Sequence, residues 1–177
     1  FDPSTRTRNR QVKKTVPLDI SLNRVSAQTP LKHGGVYLIT GGLGGLGLMF
    51  GEYLAEHYAA RLVLVGRKVV TAQLEEKLVR LRKYASDVVY VAGDVSRLED
   101  AQRIVHDAKA RYGAINGVIH AAGVTRDSFV MNKTLEQMQD VFAPKMFGAV
   151  HLDRATAAED IDVFIMFSSI AGVTGNA

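Results

Sequence analysis

One local feature constrains the fold of this chain more than any other, a glycine-rich stretch directly after a short apolar run. The run covers residues 36–39, and the stretch after it reads Thr40-Gly41-Gly42-Leu43-Gly44-Gly45-Leu46-Gly47. Glycine lets a strand turn tightly into a helix and lets backbone N–H groups approach a pyrophosphate. The helix N-terminus adds a partial positive charge there. The stretch therefore predicts a strand, a nucleotide-binding turn and a helix over residues 48–60.

The glycines fit two dinucleotide-binding spacings. One is the common fingerprint Gly42-x-Gly44-x-x-Gly47, and the other is the looser Gly41-x-x-x-Gly45-x-Gly47 preceded by Thr40. The competing interpretation is a glycine-rich turn that binds no ligand. Because a strand is predicted before the glycines and a helix after them, we favour a nucleotide site.

Four further apolar runs follow, at residues 62–65, 88–91, 117–120 and 163–167. Their continuous apolar character is typical of strands buried on both faces of a parallel sheet. Helical patterns lie between them: leucines at 74, 78 and 81, capping boxes at 96–99 and 134–137, and Pro144, which is expected to kink or divide the last helix. The alternation predicts an α/β domain with a doubly wound, Rossmann-like parallel sheet.

The end of the second predicted strand bears on the choice of cofactor. An NAD site places Asp or Glu there to bind the ribose hydroxyl, but this chain has Gly66-Arg67-Lys68. A guanidinium pairs with a 2′-phosphate, which a carboxylate would repel. Arg67 therefore favours NADPH, the alternative being two surface cations at a strand end. Asp94-Val95 ends the third predicted strand, where the carboxylate is expected to accept from the adenine amino group.

Composition separates residues 1–33 from residues 34–177. The first segment holds seven basic and two acidic residues, three of the four prolines and none of the 16 glycines, whereas the remainder holds 15 basic and 16 acidic residues. We interpret residues 1–33 as a basic connector with one short strand at 12–18. Nucleic-acid binding is disfavoured because the body is nearly neutral and no aromatic residues interleave with the basic ones.

Composition also excludes several classes of protein. The absence of cysteine excludes a disulfide scaffold and a thiolate metal site, and we expect no metal. No apolar run approaches the roughly 20 residues of a membrane span. The first residues lack the apolar centre of a secretory leader. A soluble, cytoplasmic protein is the expectation.

These motifs occur in the order of the short-chain dehydrogenase/reductase family, together with His120-Ala121-Ala122-Gly123 and Phe167-Ser168-Ser169. The longer strings GGVYLITGGLGGLG, LVLVGR, GVIHAAGV, APKMFGAVHLD and FIMFSSIAGVTGNA resemble the ketoreductase domain of a modular polyketide synthase. The resemblance covers residues 34–177. It implies that cofactor binding falls to Thr40, Gly41, Gly42, Leu43, Gly44, Gly45, Leu46, Gly47, Arg67, Asp94, Val95, Ala121, Ala122 and Gly123.

The resemblance implies NADPH-dependent reduction of the β-ketone of an acyl thioester carried by an acyl carrier protein. The other domains of the same synthase would be further partners. Ser169 matches the serine that binds the ketone oxygen, with Ser168 as the less favoured candidate. Lys145 matches the lysine that, in polyketide ketoreductases, lies in the string resembling PKMFGA. That lysine helps a tyrosine donate its proton near neutral pH.

One departure from the family is the missing tyrosine, which is expected beyond Ala177. Tyr112 and Asn116 imitate the family's Tyr-x-x-x-Asn spacing, but they precede Ser169, and we interpret the match as coincidence. We therefore expect a fragment that is incomplete at its C-terminal end and inactive alone, with residues 1–33 as a possible tail of the structural subdomain. The alternatives are a non-catalytic ketoreductase-like structural domain and a stand-alone fatty-acid β-ketoacyl reductase.

The segment after Gly123 bears on stereochemistry. One class of these ketoreductases resembles Leu-Asp-Asp at the positions held here by Thr125-Arg126-Asp127, and only the final Asp is retained. The opposite class usually has a tryptophan at the place matching Thr174, and this chain has no tryptophan. Asp127 is therefore expected to orient the substrate toward a D-configured β-hydroxyacyl product. The competing interpretation is an Asp that merely caps a loop.

Overall fold

The structure, a computed structural model, describes residues 29–174 and side chains as far as residue 172. The strand predicted at residues 12–18 lies outside this part. Five parallel strands form one sheet in the order β3-β2-β1-β4-β5. The strands are β1 Val36–Thr40, β2 Arg61–Gly66, β3 Asp87–Ala92, β4 Gly117–His120 and β5 Val163–Met166. The chain runs from β1 outward to β3 and returns to β4 on the other side of β1, so the predicted doubly wound sheet is confirmed.

Helices connect the strands and cover both faces of the sheet. They are α1 Gly45–Tyr58, α2 Ala72–Leu81, α3 Leu98–Tyr112, α4 Leu135–Phe142, α5 Gly148–Thr156 and α6 Ala171–Thr174. Leu54 of α1 and Leu78 of α2 belong to the core on one face. Ile104 of α3 and Leu152 of α5 belong to the core on the other face. This is the layering expected when successive crossovers reverse direction at the centre of a parallel sheet.

The central strand β1 explains why the apolar runs are continuous. All five of its residues are buried. Tyr37 and Ile39 pack into the core on one face, whereas Val36 and Leu38 pack into the core on the other. Because successive side chains of a strand point to opposite faces, a strand covered on both sides needs apolar residues at every position.

Two of the local predictions are corrected by the structure. Helix α1 begins at Gly45 rather than at residue 48, so the last glycines form its first turn. The capping box predicted at residues 96–99 is wrong, because helix α3 begins at Leu98 after an N-cap at Arg97 that makes no side-chain bond. The Ser96 hydroxyl donates instead to Asp94 Oδ1, at 2.7 Å. A nearer carboxylate has taken the hydroxyl that the sequence pattern assigned to the cap.

Two further local predictions are confirmed. Thr134 caps α4 reciprocally: its hydroxyl accepts from the backbone N–H of Gln137, and the Gln137 side chain accepts from the backbone N–H of Thr134. Pro144 divides the helical segment after α4, where Ala143–Phe147 form a π-helical turn before α5. A proline lacks the N–H that an α-helix needs, so a wider turn absorbs the break.

Candidate functional site

The carboxyl ends of the strands border a cleft of about 450 Å³. Nine of the predicted cofactor residues line it: Thr40, Gly41, Leu43, Gly44, Arg67, Asp94, Val95, Ala122 and Gly123. Of the other five, Gly42 and Gly47 are buried, Gly45 is exposed, and Leu46 and Ala121 line a second cavity of about 80 Å³. The structure therefore brings one end of each of four neighbouring strands to one opening, as expected for a ligand site in a doubly wound fold.

The turn after β1 contains glycines, among them Gly41 and Gly47, that another residue could not replace without strain. Gly41 has a φ of +63°, in the left-handed region that favours glycine. A Cβ atom on Gly47 would lie 2.3 Å from the carbonyl oxygen of Gly41. Around Gly45, by contrast, a Cβ atom would meet nothing within 4 Å. The close approach therefore depends on Gly41, which belongs to the looser spacing, and on Gly47, which belongs to both spacings.

Helix α1 begins at the wall of this cleft. Its N-cap is Gly44, which has no side chain to bond the first amides, and its first turn has no acidic residue. The first N–H groups of a helix have no partner within the helix, and its dipole favours an anion there. The arrangement therefore leaves backbone donors available to a phosphate.

Three cations line the same cleft: Arg67, Lys68 and Lys77. Within residues 29–174, Arg67 makes no hydrogen bond or ion pair. Lys77 lies on α2, and its ammonium donates to the carbonyl oxygen of Leu43 at 2.9 Å. Asp94 is the single acidic residue of the lining. This excess of positive charge suits a ligand that carries several phosphate oxygens.

Asp94 is held by its own neighbours. Its Oδ1 atom accepts from the backbone N–H of Ser96 at 3.0 Å and from the Ser96 hydroxyl at 2.7 Å. Its backbone N–H donates to Asp100 at 2.8 Å, and that bond is the first cause of the lowered pKa of Asp100. The Oδ2 atom of Asp94 has no hydrogen-bond partner in the described part of the chain. A fixed carboxylate with one open oxygen is able to accept from an amino group in the cleft.

Thr40 and His120 end the neighbouring strands β1 and β4 and face each other in the register. The Thr40 hydroxyl lies 2.7 Å from His120 Nδ1 and accepts from the backbone N–H of Ala122 at 3.2 Å. The other imidazole nitrogen, Nε2, lies 2.9 Å from the carbonyl oxygen of Pro144. Burial, followed by the charge of Lys145, lowers the pKa of His120, whereas the bond to Pro144 raises it. The ring therefore stays neutral at pH 7.

Lys145 lies in the second cavity, beside the larger cleft. It shares that cavity with Leu46, His120, Ala121, Ala122, Met166 and Phe167. A Cβ atom on Gly123 would lie 3.1 Å from Lys145 Cε and 3.5 Å from Lys145 Nζ. The ammonium is therefore placed at the carboxyl end of β4, next to a stretch that lines the larger cleft.

The structure places Ser169 after β5, on the same side of the sheet, but in neither cavity lining. Its Oγ atom accepts from the backbone N–H of Ala171 at 3.2 Å, so its hydroxyl hydrogen is free to donate elsewhere. No hydrogen bond joins Ser169 to Lys145 in the part of the chain that the structure describes. Asp127 is exposed and makes no hydrogen bond or ion pair within residues 29–174.

Tyr112 lies at the opposite edge of the sheet. Its hydroxyl donates to Asp87 Oδ2 at 2.9 Å, where β3 begins. This position is remote from the glycine turn and from Ser169, since both of those follow the carboxyl ends of strands. The spacing of Tyr112 and Asn116 therefore does not create a second catalytic arrangement.

Sequence reasoning missed two residues of the site. Lys77 lies in an ordinary amphipathic helix, and no sequence pattern distinguishes it from other surface lysines. His120 was included in the family string, but nothing in the string indicates its bond to Pro144.

Among residues 29–174, no group of three or more His, Asp or Glu residues is placed to hold a metal ion. No helix in that range has the length and apolar character of a membrane span.

Comparison with known sequences gives consistent matches. The model of the KR domain family matches residues 35–177. The polyketide synthase PksM of Bacillus subtilis is 42% identical over 146 residues, which are 82% of this chain and 3% of that protein. The mycocerosic acid synthase-like polyketide synthase of Mycobacterium tuberculosis is 42% identical over 142 residues, which are 80% of this chain and 7% of that protein. The chain thus spans less than a tenth of these relatives.

Solved structures agree in fold. A ketoreductase domain from the bacillaene assembly line is 40% identical, with a TM-score of 0.82 over 86% of this chain and 37% of that one. An N-terminal ketoreductase from the macrolactin assembly line has the same identity and TM-score, over 86% of this chain and 32% of its own. The sequence match, the fold and the glycine turn agree, and the chain belongs to the KR domain family, the ketoreductase domains of polyketide synthases.

Proposed function

We propose that this chain forms the NADPH-binding part of a ketoreductase that converts a β-ketoacyl thioester into a β-hydroxyacyl thioester. The observation that carries the proposal is the position of Ala122, which lines both the larger cleft and the cavity of Lys145. A cofactor in the cleft and a lysine that assists proton transfer would then act on one substrate. KR domains are nicotinamide-dependent reductases, which supports the reaction class.

The residues of the cleft fit NADPH. The glycine turn and the first amides of α1 suit the pyrophosphate, and Arg67, Lys68 and Lys77 suit the 2′-phosphate. Asp94 has an open oxygen for the adenine amino group. When bound, NADPH supplies the hydride for the reduction. Because Arg67 has no acidic partner within residues 29–174, a phosphate meets no competing ion pair there.

Ser169 and Lys145 would stabilise the negative charge that develops on the ketone oxygen, Ser169 directly and Lys145 through a phenol. As the ketone is reduced, negative charge grows on its oxygen, and donors aimed at that oxygen stabilise the transition state. Ser169 has a free hydroxyl hydrogen for this bond. Lys145 carries a positive charge beside Gly123, where it would lower the pKa of a nearby phenol and help it act as an acid. An acyl carrier protein would present the thioester, and other synthase domains would be covalent neighbours.

The reaction is tested with the full-length protein, NADPH and a synthetic diketide β-ketoacyl thioester. We expect reduction by the wild type, and a loss of kcat of about 100-fold or more in Lys145→Ala and in Ser169→Ala. Ser168→Ala is the matched control and is expected to stay within about twofold of the wild type. NADPH binding without reduction by the wild type would favour the non-catalytic structural domain instead. If the protein reduces only fatty β-ketoacyl thioesters and not the diketide, the result would favour the stand-alone fatty-acid β-ketoacyl reductase.

The stereochemical outcome has a separate test. We propose a D-configured hydroxyl, because Asp127 is the retained acidic residue of its loop and is exposed, without a partner in the described chain. Chiral chromatography of the diketide product reports the configuration directly. A predominantly L-hydroxy product would overturn the role given to Asp127 without affecting the assignment of the reaction.

A further inference from the structure

The turn that carries Lys145 is tied to the glycine turn by one continuous set of hydrogen bonds. The carbonyl oxygen of Pro144 can only accept, so the His120 Nε2 atom 2.9 Å away must carry a hydrogen. A neutral ring then has a bare Nδ1, which accepts from the Thr40 hydroxyl at 2.7 Å. The Thr40 oxygen in turn accepts from the backbone N–H of Ala122. The donor and the acceptor of each of these three hydrogen bonds are therefore fixed.

The His120 ring is buried and closely packed against Gly148. His120 is only 5% exposed. A Cβ atom on Gly148, the first residue of α5, would lie 3.1 Å from His120 Cε1 and 3.4 Å from Nε2. Any side chain at that position would press on the imidazole. The π-helical turn before Gly148 leaves the Pro144 carbonyl oriented toward the ring, so the ring and the turn fit as one unit.

We propose that His120 is a positioning residue for Lys145. The imidazole links the end of β1 to the peptide group directly before Lys145, and so fixes where the lysine's backbone lies relative to the cofactor cleft. The inference rests on the proposed function, in which Lys145 assists the proton transfer. His120 itself touches neither cofactor nor substrate in this role. A shift of about 1 Å in a group of this kind can cost a hundredfold in rate.

Two substitutions test the hydrogen bonds of the two ring nitrogens, Nδ1 and Nε2, separately. His120→Asn retains an acceptor near the Nδ1 position but has no atom that reaches Pro144. His120→Gln places an amide nitrogen near the Nε2 position and keeps the donor to Pro144. In the full-length protein we expect His120→Asn to lower kcat about 10- to 100-fold, with the KM for NADPH and for the thioester changed less than about threefold. His120→Gln should restore kcat to within about threefold of the wild type.

A second measurement does not depend on activity. Hydrogen exchange of the full-length protein, followed by mass spectrometry, reports the peptide that covers residues 143–149. We expect faster exchange of that peptide in His120→Asn than in the wild type or in His120→Gln, with unchanged exchange in β1 and β2. Faster exchange throughout the sheet would mean general unfolding and would overturn the specific positioning role.

The outcomes distinguish this inference from the proposed function. If Lys145→Ala is inactive while His120→Asn keeps full kcat, the positioning role fails and the proposed function stands. If the wild type reduces no ketone, the proposed function fails, and exchange at residues 143–149 still decides whether His120 holds the turn. Identical exchange in all three proteins would overturn the inference in either case.

Discussion

The two ends of the parallel strands differ in how their polar groups are paired. We call the side of the sheet where the strands begin the amino edge and the side where they end the carboxyl edge. At the amino edge, side chains pair with one another: Lys32 with Asp162 at 2.7 Å, and Arg111 with Asp87 at 2.7 Å. At the carboxyl edge, glycines replace side chains, and Arg67 has no partner within residues 29–174. One edge has its hydrogen bonds satisfied internally, and the other leaves donors and cations available for a ligand. Ion pairs that stabilise the fold and groups that are open to a ligand therefore lie at opposite ends of the strands.

The largest expected effect is at the glycine turn. Gly47→Ala would place a Cβ atom 2.3 Å from the carbonyl oxygen of Gly41, a backbone contact that no rotamer change can relieve. We expect the Kd for NADPH to rise by about 100-fold or more, measured by fluorescence titration. Gly45→Ala is the matched control, because its Cβ meets nothing within 4 Å and its affinity should be unchanged. Equal losses in both variants would contradict the steric reason.

The next effect concerns cofactor choice at the same edge. Arg67→Asp removes a charge-assisted pair worth about 1.5–3 kcal/mol, and so should weaken NADPH about 10- to 150-fold. NADH lacks the 2′-phosphate, so its affinity should change far less. Arg82→Asp provides a control, since Arg82 pairs with Glu75 at 2.6 Å outside the cleft lining. Equal weakening of both cofactors would refute the role of Arg67.

At the amino edge, a substitution should change stability without changing binding. Asn116 Oδ1 accepts from the backbone N–H of Val36, a residue that is 2% exposed. Asn116→Leu leaves that buried N–H without its acceptor, which costs about 1–3 kcal/mol of unfolding free energy. Hydrogen exchange of the β1 amides measures the loss, and Asn132→Leu on an exposed turn is the control. An increased Kd for NADPH would show that the two edges are coupled after all.

The smallest effect is a pH dependence at the same edge. The Arg111 guanidinium hydrogen bond is the main cause that lowers the pKa of Asp87, followed in the same direction by the Tyr112 hydroxyl and opposed by burial. A lowered folded-state pKa means that the stabilisation is present at neutral pH and is lost as the pH falls through that pKa. Asp87→Asn should therefore cost about 1 kcal/mol or less near pH 7, because the pair is largely exposed.

The difference between wild type and Asp87→Asn should then shrink on acidification. Hydrogen exchange of the β3 amides from about pH 7 down to about pH 2, corrected for the intrinsic rate, follows it, because the loss begins only below the ordinary Asp pKa. Lys133→Met is a control outside this cluster. A gap that widens at low pH would contradict the direction of the Asp87 pKa shift.

Most of the secondary structure was predictable because its causes are local. The apolar runs correspond to the five strands within one residue at each end, since burial on both faces requires a continuous apolar pattern. The Thr134 capping box was predictable for the same reason, as both partners lie within one turn. Ser96 shows the limit of such patterns, because Asp94, two residues before it, offered its hydroxyl a closer acceptor.

The parts of the candidate site that could be predicted from sequence are those whose geometry depends on residues close together in the chain. The glycine turn is such a part in its tightest contact, because the approach of Gly47 to the carbonyl oxygen of Gly41 lies within residues 41–47. The close approach of Gly41 to Ala121, and of Gly42 to Leu64, depends on the neighbouring strands. Arg67 was predictable from its place after a strand. Lys77 was not, because its ammonium reaches Leu43, 34 positions earlier in the chain, only after α2 has packed beside the turn.

The sequence alone thus determined the class of fold, the position of the glycine turn and the cation that follows β2. Only the tertiary structure decided the strand order, the position of Ala122 in the lining of two cavities and the bonds of His120. Those bonds span 80 positions to Thr40 and 24 positions to Pro144. Residue patterns report what neighbours along the chain require, whereas contacts at such separations exist only once the sheet has brought the ends of β1 and β4 side by side.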